Sequence, residues 1–574
     1  MTLTTPEPLP QHTETAARLL SGPLSPPTGF VPFPAVRAAG YRAAGYWTGQ
    51  PLDSVLRRAA GNWPDRVAAA DSQDAYTFAE LDRLADRAAA GVAALGIAPG
   101  DRVLLQLPNS SQFAVTLFGL LRAGAIPVMC LPGHRLAEMT HFAAVSGAVA
   151  IVIADCAGGF DYRPMAAQVV SENPSVRHVI VDGEANGESF TPWSDVLADT
   201  SRPPTLAVDT ASPALLLVSG GTTGAPKLIP RTHDDYWYNF TASARLCGLT
   251  SEDVYLVALP AAHNFPLACP GLLGALSVGA TTVFTADPSP EAAFAMIARH
   301  GVTATALVPA LAKLWAQACE WEPQRPTTLR LLQVGGAKLG ADDARAVRAA
   351  LTSGVQQVFG MAEGLLCYSR LDDPDDLVDR TQGRPLSEGD ELRVVDEVGD
   401  EVAPGDEGEL LVRGPYTLNG YFRAERDNQR SFSPDGFYRT GDRVRRFGSG
   451  PLAGYVEVTG RVKDVIHRGG ETVSALDLEA HLLTHPSIWS AAAIPLPDEY
   501  LGEKICAAVV FTGKPVTLAE LNAYLDGRGV AAHARPDKLV AMPSLPTTAV
   551  GKIDKKAIVA QLTGQRLSEV GSTE

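Results

Sequence analysis

Apolar and polar positions follow two alternating rhythms along most of this chain. Runs such as Arg102-Val103-Leu104-Leu105-Gln106-Leu107, Ile126-Pro127-Val128-Met129, Ala150-Ile151-Val152-Ile153 and Val179-Ile180-Val181 are short, continuous and bounded by Gly, Asp or Pro. That is the pattern of parallel strands covered on both faces. Between them, segments 52–60, 78–95 and 111–123 repeat their apolar residues at helical spacing. Strand and helix in alternation predict an α/β fold. The rhythm continues through strand-like runs at 214–218, 227–231, 254–259, 281–284, 304–308, 329–334 and 355–359, and Thr232 with Asp235 gives a capping signal ahead of a helix over 236–247.

From Asp390 the strands shorten and Gly/Asp turns multiply, as at 391–395 and 408–413, which predicts an antiparallel subdomain. A second break falls near Gly460. Beyond it a helix at 476–483, strands at 491–494 and 505–511 and a helix at 518–525 predict a small α+β domain of about a hundred residues. Residues 1–28, with Pro6, Pro8, Pro10, Pro23, Pro26 and Pro27, read as a disordered Pro-rich tail. Ligands in open α/β sheets sit at turns after strand ends, which nominates Ala262-His263-Asn264-Phe265, Gly335-Gly336-Ala337-Lys338, Gly360-Met361-Ala362-Glu363-Gly364 and Tyr438-Arg439-Thr440-Gly441-Asp442.

Composition narrows the ligand class. A length of 574 residues, 46% of them hydrophobic and 20% charged, is ordinary for a multidomain globular chain, and a net charge of −16 argues against nucleic acid or an anionic membrane as partner. Seven cysteines stand singly, with no paired spacing, so neither a disulfide framework nor a zinc site is expected and a reducing cytoplasm fits. The N-terminus has no basic and apolar leader, and no uninterrupted apolar run is long enough for a membrane span.

The stretch Ser219-Gly220-Gly221-Thr222-Thr223-Gly224-Ala225-Pro226-Lys227 follows a strand-like run and reads as a phosphate loop. Its glycines allow backbone N–H groups to converge on an anion, and hydroxyls and one ammonium surround the same space. Kinase-type P-loops need the lysine directly after the last glycine; here Ala225 and Pro226 intervene, so a different phosphate chemistry is indicated.

In chain order, SGGTTGAPK, FGMAEG, YRTGD, GRVKD and PTTAVGKIDKK resemble the motifs of the ANL superfamily of adenylate-forming enzymes, over nearly the whole chain. The segments LIPRTHDDY, AHNFPLACPG, LQVGGAK and QQVFGMAEGL bring the resemblance closer to the aryl-acid–AMP ligases of siderophore synthesis. The resemblance implies an α/β protein with a large adenylation domain (29–460, two α/β subdomains and a small β-rich one), a hinge (461–465) and a small mobile α+β lid (466–574). It also implies a reaction: an aryl acid and ATP, with Mg2+, give aryl-AMP and pyrophosphate, and a phosphopantetheine thiol of an aryl carrier protein then takes the acyl group.

Residue by residue, the resemblance assigns phosphate binding to Ser219, Gly220, Gly221, Thr222, Thr223, Gly224 and Lys227, and magnesium to Glu363. Adenosine falls to Gly335, Gly336, Ala337, Gln357, Val358, Phe359, Gly360 and Met361, with Asp442 and Arg461 on the ribose. Lys552, Glu363 and His263 are the catalytic candidates, and Lys463 matches the hinge position. The aryl pocket is carried over to Asn264, Phe265, Cys269, Gly335, Val358 and Leu366, with Asn264 meeting a substituent ortho to the carboxylate. Relatives that use 2,3-dihydroxybenzoate tend to have serine where Cys269 stands; a thiol is a poor partner for a second hydroxyl, which points to salicylate. Within the siderophore ligases the resemblance is to those of mycobactin-type synthesis. His467 departs from the asparagine frequent in close relatives. The alternatives are a 2,3-dihydroxybenzoate–AMP ligase, an aryl-CoA ligase sharing every nucleotide motif, and a non-catalytic adenylate-binding protein. The last would be expected to lack Glu363 or Lys552, and both are present.

Overall fold

The protein is described here by a computed structural model, which covers residues 26–186, 190–198, 203, 205–219, 225–468, 471–548 and 551–569. Most of the Pro-rich tail and the loop glycines and threonines Gly220, Gly221, Thr222, Thr223 and Gly224 lie outside the described residues.

Among the described residues two large, mostly parallel sheets dominate. One runs Leu228–Thr232, Pro213–Val218, Ile126–Met129, Arg102–Gln106, Ala150–Ala154, His178–Asp182 and Phe190–Pro192. The other runs Arg384–Pro385, Leu366–Tyr368, Val355–Gly360, Leu331–Gly335, Ala304–Leu307, Val254–Val257, Thr281–Phe284, Val67–Ala70 and Ala75–Thr77. Helices Phe78–Ala94 and Ser111–Arg122 pack against each other. Phe113, Leu117 and Phe118 are fully buried on the second of them, each burial stabilising by about 1.5–3 kcal/mol.

Glu391–Val395, Glu407–Arg413, Tyr438–Arg446 and Val456–Arg461 then form an antiparallel sheet. After a turn at 462–464 the chain builds a last sheet, in which Lys538–Ala541 runs parallel to Gly502–Phe511 and the other pairings are antiparallel. That sheet carries apolar clusters of its own, around Leu478, Leu482 and Leu521 on one side and Ile494, Cys506 and Ile558 on the other.

Two local expectations change. The run after the phosphate loop does form a strand, Leu228–Thr232, but pairs antiparallel to Pro213–Val218, because a short connection cannot make a parallel crossover. Tyr438-Arg439-Thr440-Gly441-Asp442 lies inside the strand Tyr438–Arg446 rather than on a turn. The register shifts there, with Arg439 opposite Leu411 and Arg443 opposite Glu409. Three residues thus face one, a bulge in which Gly441 takes φ +70° and re-aims Asp442.

Candidate active site

The site is assembled from strand ends, one hairpin and one loop of the C-terminal domain. Strand Val355–Gly360 pairs antiparallel to Leu366–Tyr368, with Gly360 opposite Leu366. In the tight turn between them the Gly364 N–H donates to the Met361 carbonyl at 3.1 Å, and the Glu363 carbonyl accepts from Leu418 N–H at 2.8 Å. The turn leaves the Glu363 carboxylate half-buried, with Oε1 accepting from the Tyr421 hydroxyl at 2.9 Å. Tyr421 in turn shares a hydrogen bond of 2.9 Å with the Tyr438 hydroxyl. Burial pushes the Glu363 carboxyl above its usual range, opposed by the Tyr421 hydrogen bond and, more weakly, by the charge of Arg461.

The bulge sets Asp442 directly across from Arg461, whose Nε donates to Oδ1 at 2.9 Å. Asp442 is raised by burial, with Arg461 and then Lys552 pulling the other way. From the C-terminal domain, Lys552 enters the same space: a β-carbon on Gly336 would lie 3.2 Å from its Cε. Its backbone is fixed by a 2.7 Å bond from Thr548 N–H to its carbonyl and a 3.3 Å bond from its own N–H to Thr548 Oγ1. Burial lowers the Lys552 ammonium, Arg461 adds to that, and Asp442 and Glu363 oppose it. His263 caps helix Asn264–Ala268, accepting from Phe265 N–H at Nδ1. Burial, with the charge of Lys552 behind it, takes its imidazole down to about 3. It is therefore neutral at neutral pH, with Nδ1 accepting and Nε2 carrying the hydrogen.

At the base of the 219–227 loop Ser219 N–H donates to the Lys227 carbonyl at 2.9 Å and Lys227 N–H to Ser219 Oγ at 2.8 Å, pinning the two ends together. The Lys227 ammonium lies 5.0 Å from the Tyr421 ring centroid and 3.6 Å from Asp427. Tyr421 thus touches both the phosphate-loop lysine and Glu363. Lys463 sits in the 462–464 turn, where Val462 N–H reaches the Gly441 carbonyl at 2.8 Å. His467 lies on strand Val465–Arg468 with its N–H on Glu503 Oε2 at 2.7 Å.

Asn264, Phe265, Cys269, Val358 and Leu366 come together as buried residues, none more than 7% exposed. Side-chain alternation along Val355–Gly360 sends Val358 toward this group and Gln357 to the other face. There the Gln357 amide bonds Val378 and Leu339 carbonyls, so only its backbone remains near the site. Gly335 and Val358 are register partners, and the Phe265 ring lies against Gly335 where a β-carbon would be 3.0 Å from Cε1. Phe359, Gly360 and Met361 continue the hairpin as half-buried residues, and Ala337 is exposed beside Gly336.

Several supporting residues were not singled out in the sequence. Arg231 is wholly buried: it bonds Asp235 at 2.8 Å and the carbonyls of Ala362 and Tyr416, so it ties strand Leu228–Thr232 to the Glu363 turn. Tyr236 donates to Asn264 Oδ1 at 2.9 Å. Both sit in LIPRTHDDY, where an arginine in an apolar strand followed by a capping pair was the available signal.

Among the described residues no three His, Cys, Asp or Glu side chains gather as a metal site. Glu363 fits magnesium in another way: a hard ion holding one carboxylate and completing its shell with phosphate oxygens and water. Three cations, Lys227, Arg461 and Lys552, against two partly desolvated carboxylates suit a polyanionic nucleotide.

This arrangement defines a nucleotide-handling α/β enzyme with a small C-terminal domain. The chain belongs to the AMP-binding enzyme family, whose sequence profile matches residues 56–422, with the profile of its C-terminal domain matching 477–552. It is 68% identical over 540 residues to the salicyl-AMP ligase / salicyl-S-ArCP synthetase of Mycobacterium tuberculosis, covering 93% of this chain and 94% of that protein. It is 47% identical to the 2,3-dihydroxybenzoate-AMP ligase of Bacillus subtilis, over 92% of this chain and 97% of that one. Among solved structures, apo MbtA of Mycobacterium smegmatis superposes with a TM-score of 0.74 at 72% identity, covering 93% of this chain and 99% of that one. An ATP-bound RpMatB-BxBclM chimera gives 0.80 at 25% identity, covering 90% and 99%. Among the described residues no helix is long and apolar enough to cross a membrane.

Proposed function

We propose that the protein activates salicylate with ATP, releasing pyrophosphate, and transfers the salicyl group from salicyl-AMP to the phosphopantetheine thiol of an aryl carrier protein, in the cytoplasm and for a mycobactin-type siderophore. The observation that carries this reading is 68% identity to a salicyl-AMP ligase over 93% of the chain. The buried Asn264 and Cys269 side chains agree with it. In the first half-reaction a carboxylate oxygen bonds the α-phosphorus as the bond to the leaving pyrophosphate breaks. Two anions must meet, so cationic and hydrogen-bonding groups are needed where charge builds up.

Lys552 would meet the carboxylate and α-phosphate, and Lys227 with Ser219 the departing phosphates. Asp442 and Arg461 would hold the ribose. Glu363 would hold magnesium, which supplies charge neutralisation on the phosphates. Phe265, Val358 and Leu366 enclose a flat ring, and Gly335 keeps room for it. In the second half-reaction the thiol sulfur bonds the acyl carbon and AMP leaves. We assign the large body to 29–460, the lid to 466–574 and the turning point to 461–465 around Lys463, so that lid rotation removes Lys552 and opens the thiol path.

Pyrophosphate exchange across a panel of aryl acids tests the reading, with salicylate expected to give the highest kcat/KM. No exchange with any aryl acid would refute it, and a higher value for 2,3-dihydroxybenzoate would transfer the assignment to that acid. Holo-carrier protein should also be acylated with a higher kcat/KM than free CoA.

A further inference from the structure

The Asn264 amide is held from two sides. Tyr236, on helix His233–Leu246, donates its hydroxyl to Oδ1 at 2.9 Å, and Nδ2 lies 3.4 Å from Cys269 Sγ. The same sulfur donates to the Asn264 main-chain carbonyl at 3.4 Å. Its hydrogen is therefore committed, and its lone pairs face the amide nitrogen. A flipped amide would set Oδ1 against those lone pairs. Tyr236 itself is fully buried, with the Arg231 guanidinium 4.5 Å over its ring, and burial keeps the phenol protonated. One N–H of Asn264 remains for the aryl pocket.

That leftover donor distinguishes two isosteric substituents. An ortho hydroxyl that donates to its own carboxylate leaves an oxygen lone pair, which accepts from the N–H. An ortho amino group has its lone pair drawn into the ring and offers only hydrogens, so it would meet the amide donor to donor. We propose that Tyr236 is a positioning residue that locks the Asn264 amide as a donor and so makes the site select ortho-hydroxy over ortho-amino aryl acids. The proposal rests on the functional reading above and deepens its substrate choice.

The test is pyrophosphate exchange with salicylate and 2-aminobenzoate, for the wild type, Tyr236→Phe and Asn264→Asp, read as the ratio of the two kcat/KM values. Taking the ratio within one variant cancels losses from folding or general activity. The wild type should favour salicylate. The ratio should fall about fivefold or more in Tyr236→Phe, where Oδ1 loses its donor and the amide can turn, and further in Asn264→Asp, which has acceptors only. The KM for ATP should not move. If Tyr236→Phe gives no exchange, calorimetric titration of the two acids into it with AMP present reads the same ratio. An unchanged ratio in Tyr236→Phe, or a wild type that activates salicylate and 2-aminobenzoate equally, would overturn the proposal while leaving salicylate activation standing. No exchange by the wild type with any aryl acid would overturn both.

Discussion

Replacing Gly335 by alanine would perturb the proposed aryl pocket by one methyl group. The new β-carbon would stand 2.8 Å from the Val358 carbonyl oxygen and 3.0 and 3.1 Å from two ring carbons of Phe265. The carbonyl belongs to a strand held in register, so that strand is pressed at some cost in stability, and the ring gives way by a few tenths of an ångström into the space proposed for the aryl acid. Overpacking of this kind costs about 1–3 kcal/mol. If the cost falls on the bound aryl acid, kcat/KM drops roughly 5- to 150-fold. The assay is pyrophosphate exchange with the aryl acid and ATP varied separately, alongside thermal unfolding. The KM for the aryl acid should rise much more than that for ATP, and adding Phe265→Leu should restore part of the loss as a coupling between neighbours. A folded Gly335→Ala enzyme with an unchanged KM for the aryl acid would show that the ring does not border the acid.

Lys552→Ala should reduce adenylation by about 10²–10³, the effect of losing a transition-state charge contact, and leave thioester formation from supplied salicyl-AMP much less affected; equal losses in both half-reactions would refute the lid assignment. Cys269→Ser should move kcat/KM toward 2,3-dihydroxybenzoate relative to salicylate by roughly 5- to 150-fold, because a hydroxyl can satisfy the 3-hydroxyl that a thiol leaves poorly paired; an unchanged ratio in exchange kinetics would place discrimination elsewhere. Burial raises the Asp390 carboxyl from its ordinary 3.8 to about 7, against hydrogen bonds from Tyr416 and the Ser387 N–H. A folded-state value above the unfolded one gives stability that is whole below about pH 4 and lost as pH rises through about 7. Asp390→Asn should therefore gain stability over the wild type progressively as pH goes from 5 to 8, by about 3 kcal/mol across that interval; a difference in thermal unfolding that does not change with pH would refute the burial argument.

Much was legible from the chain alone. Strand and helix rhythm gave the α/β class, because parallel strands buried on both faces must be continuously apolar, as Ala150–Ala154 is. The Thr232 and Asp235 pair announced a helix that begins at His233 with that capping box. The break near Gly460 precedes a sheet with apolar clusters of its own, since a composition change is local and a separate domain needs its own core.

Pairing between distant segments could not be read the same way. Val67–Ala70 pairs in parallel with Thr281–Phe284, while Arg102–Gln106, which follows it after the short strand Ala75–Thr77 and one helix, belongs to the other large sheet. Apolar periodicity says that a strand is buried, not against which partner. Asp442 looked like a turn aspartate because glycine at a local level means a turn; only the register of the facing strand makes it a bulge. The roles of Arg231 and Tyr236 were likewise hidden. Each depends on contacts with residues far along the chain, the carbonyls of Ala362 and Tyr416 for one and the Asn264 amide for the other. The sequence by itself determined which chemical groups this protein carries and on which local elements. Which of those groups share one partly buried, charged space was decided only in three dimensions, because burial and hydrogen-bond pairing are properties of the packed chain.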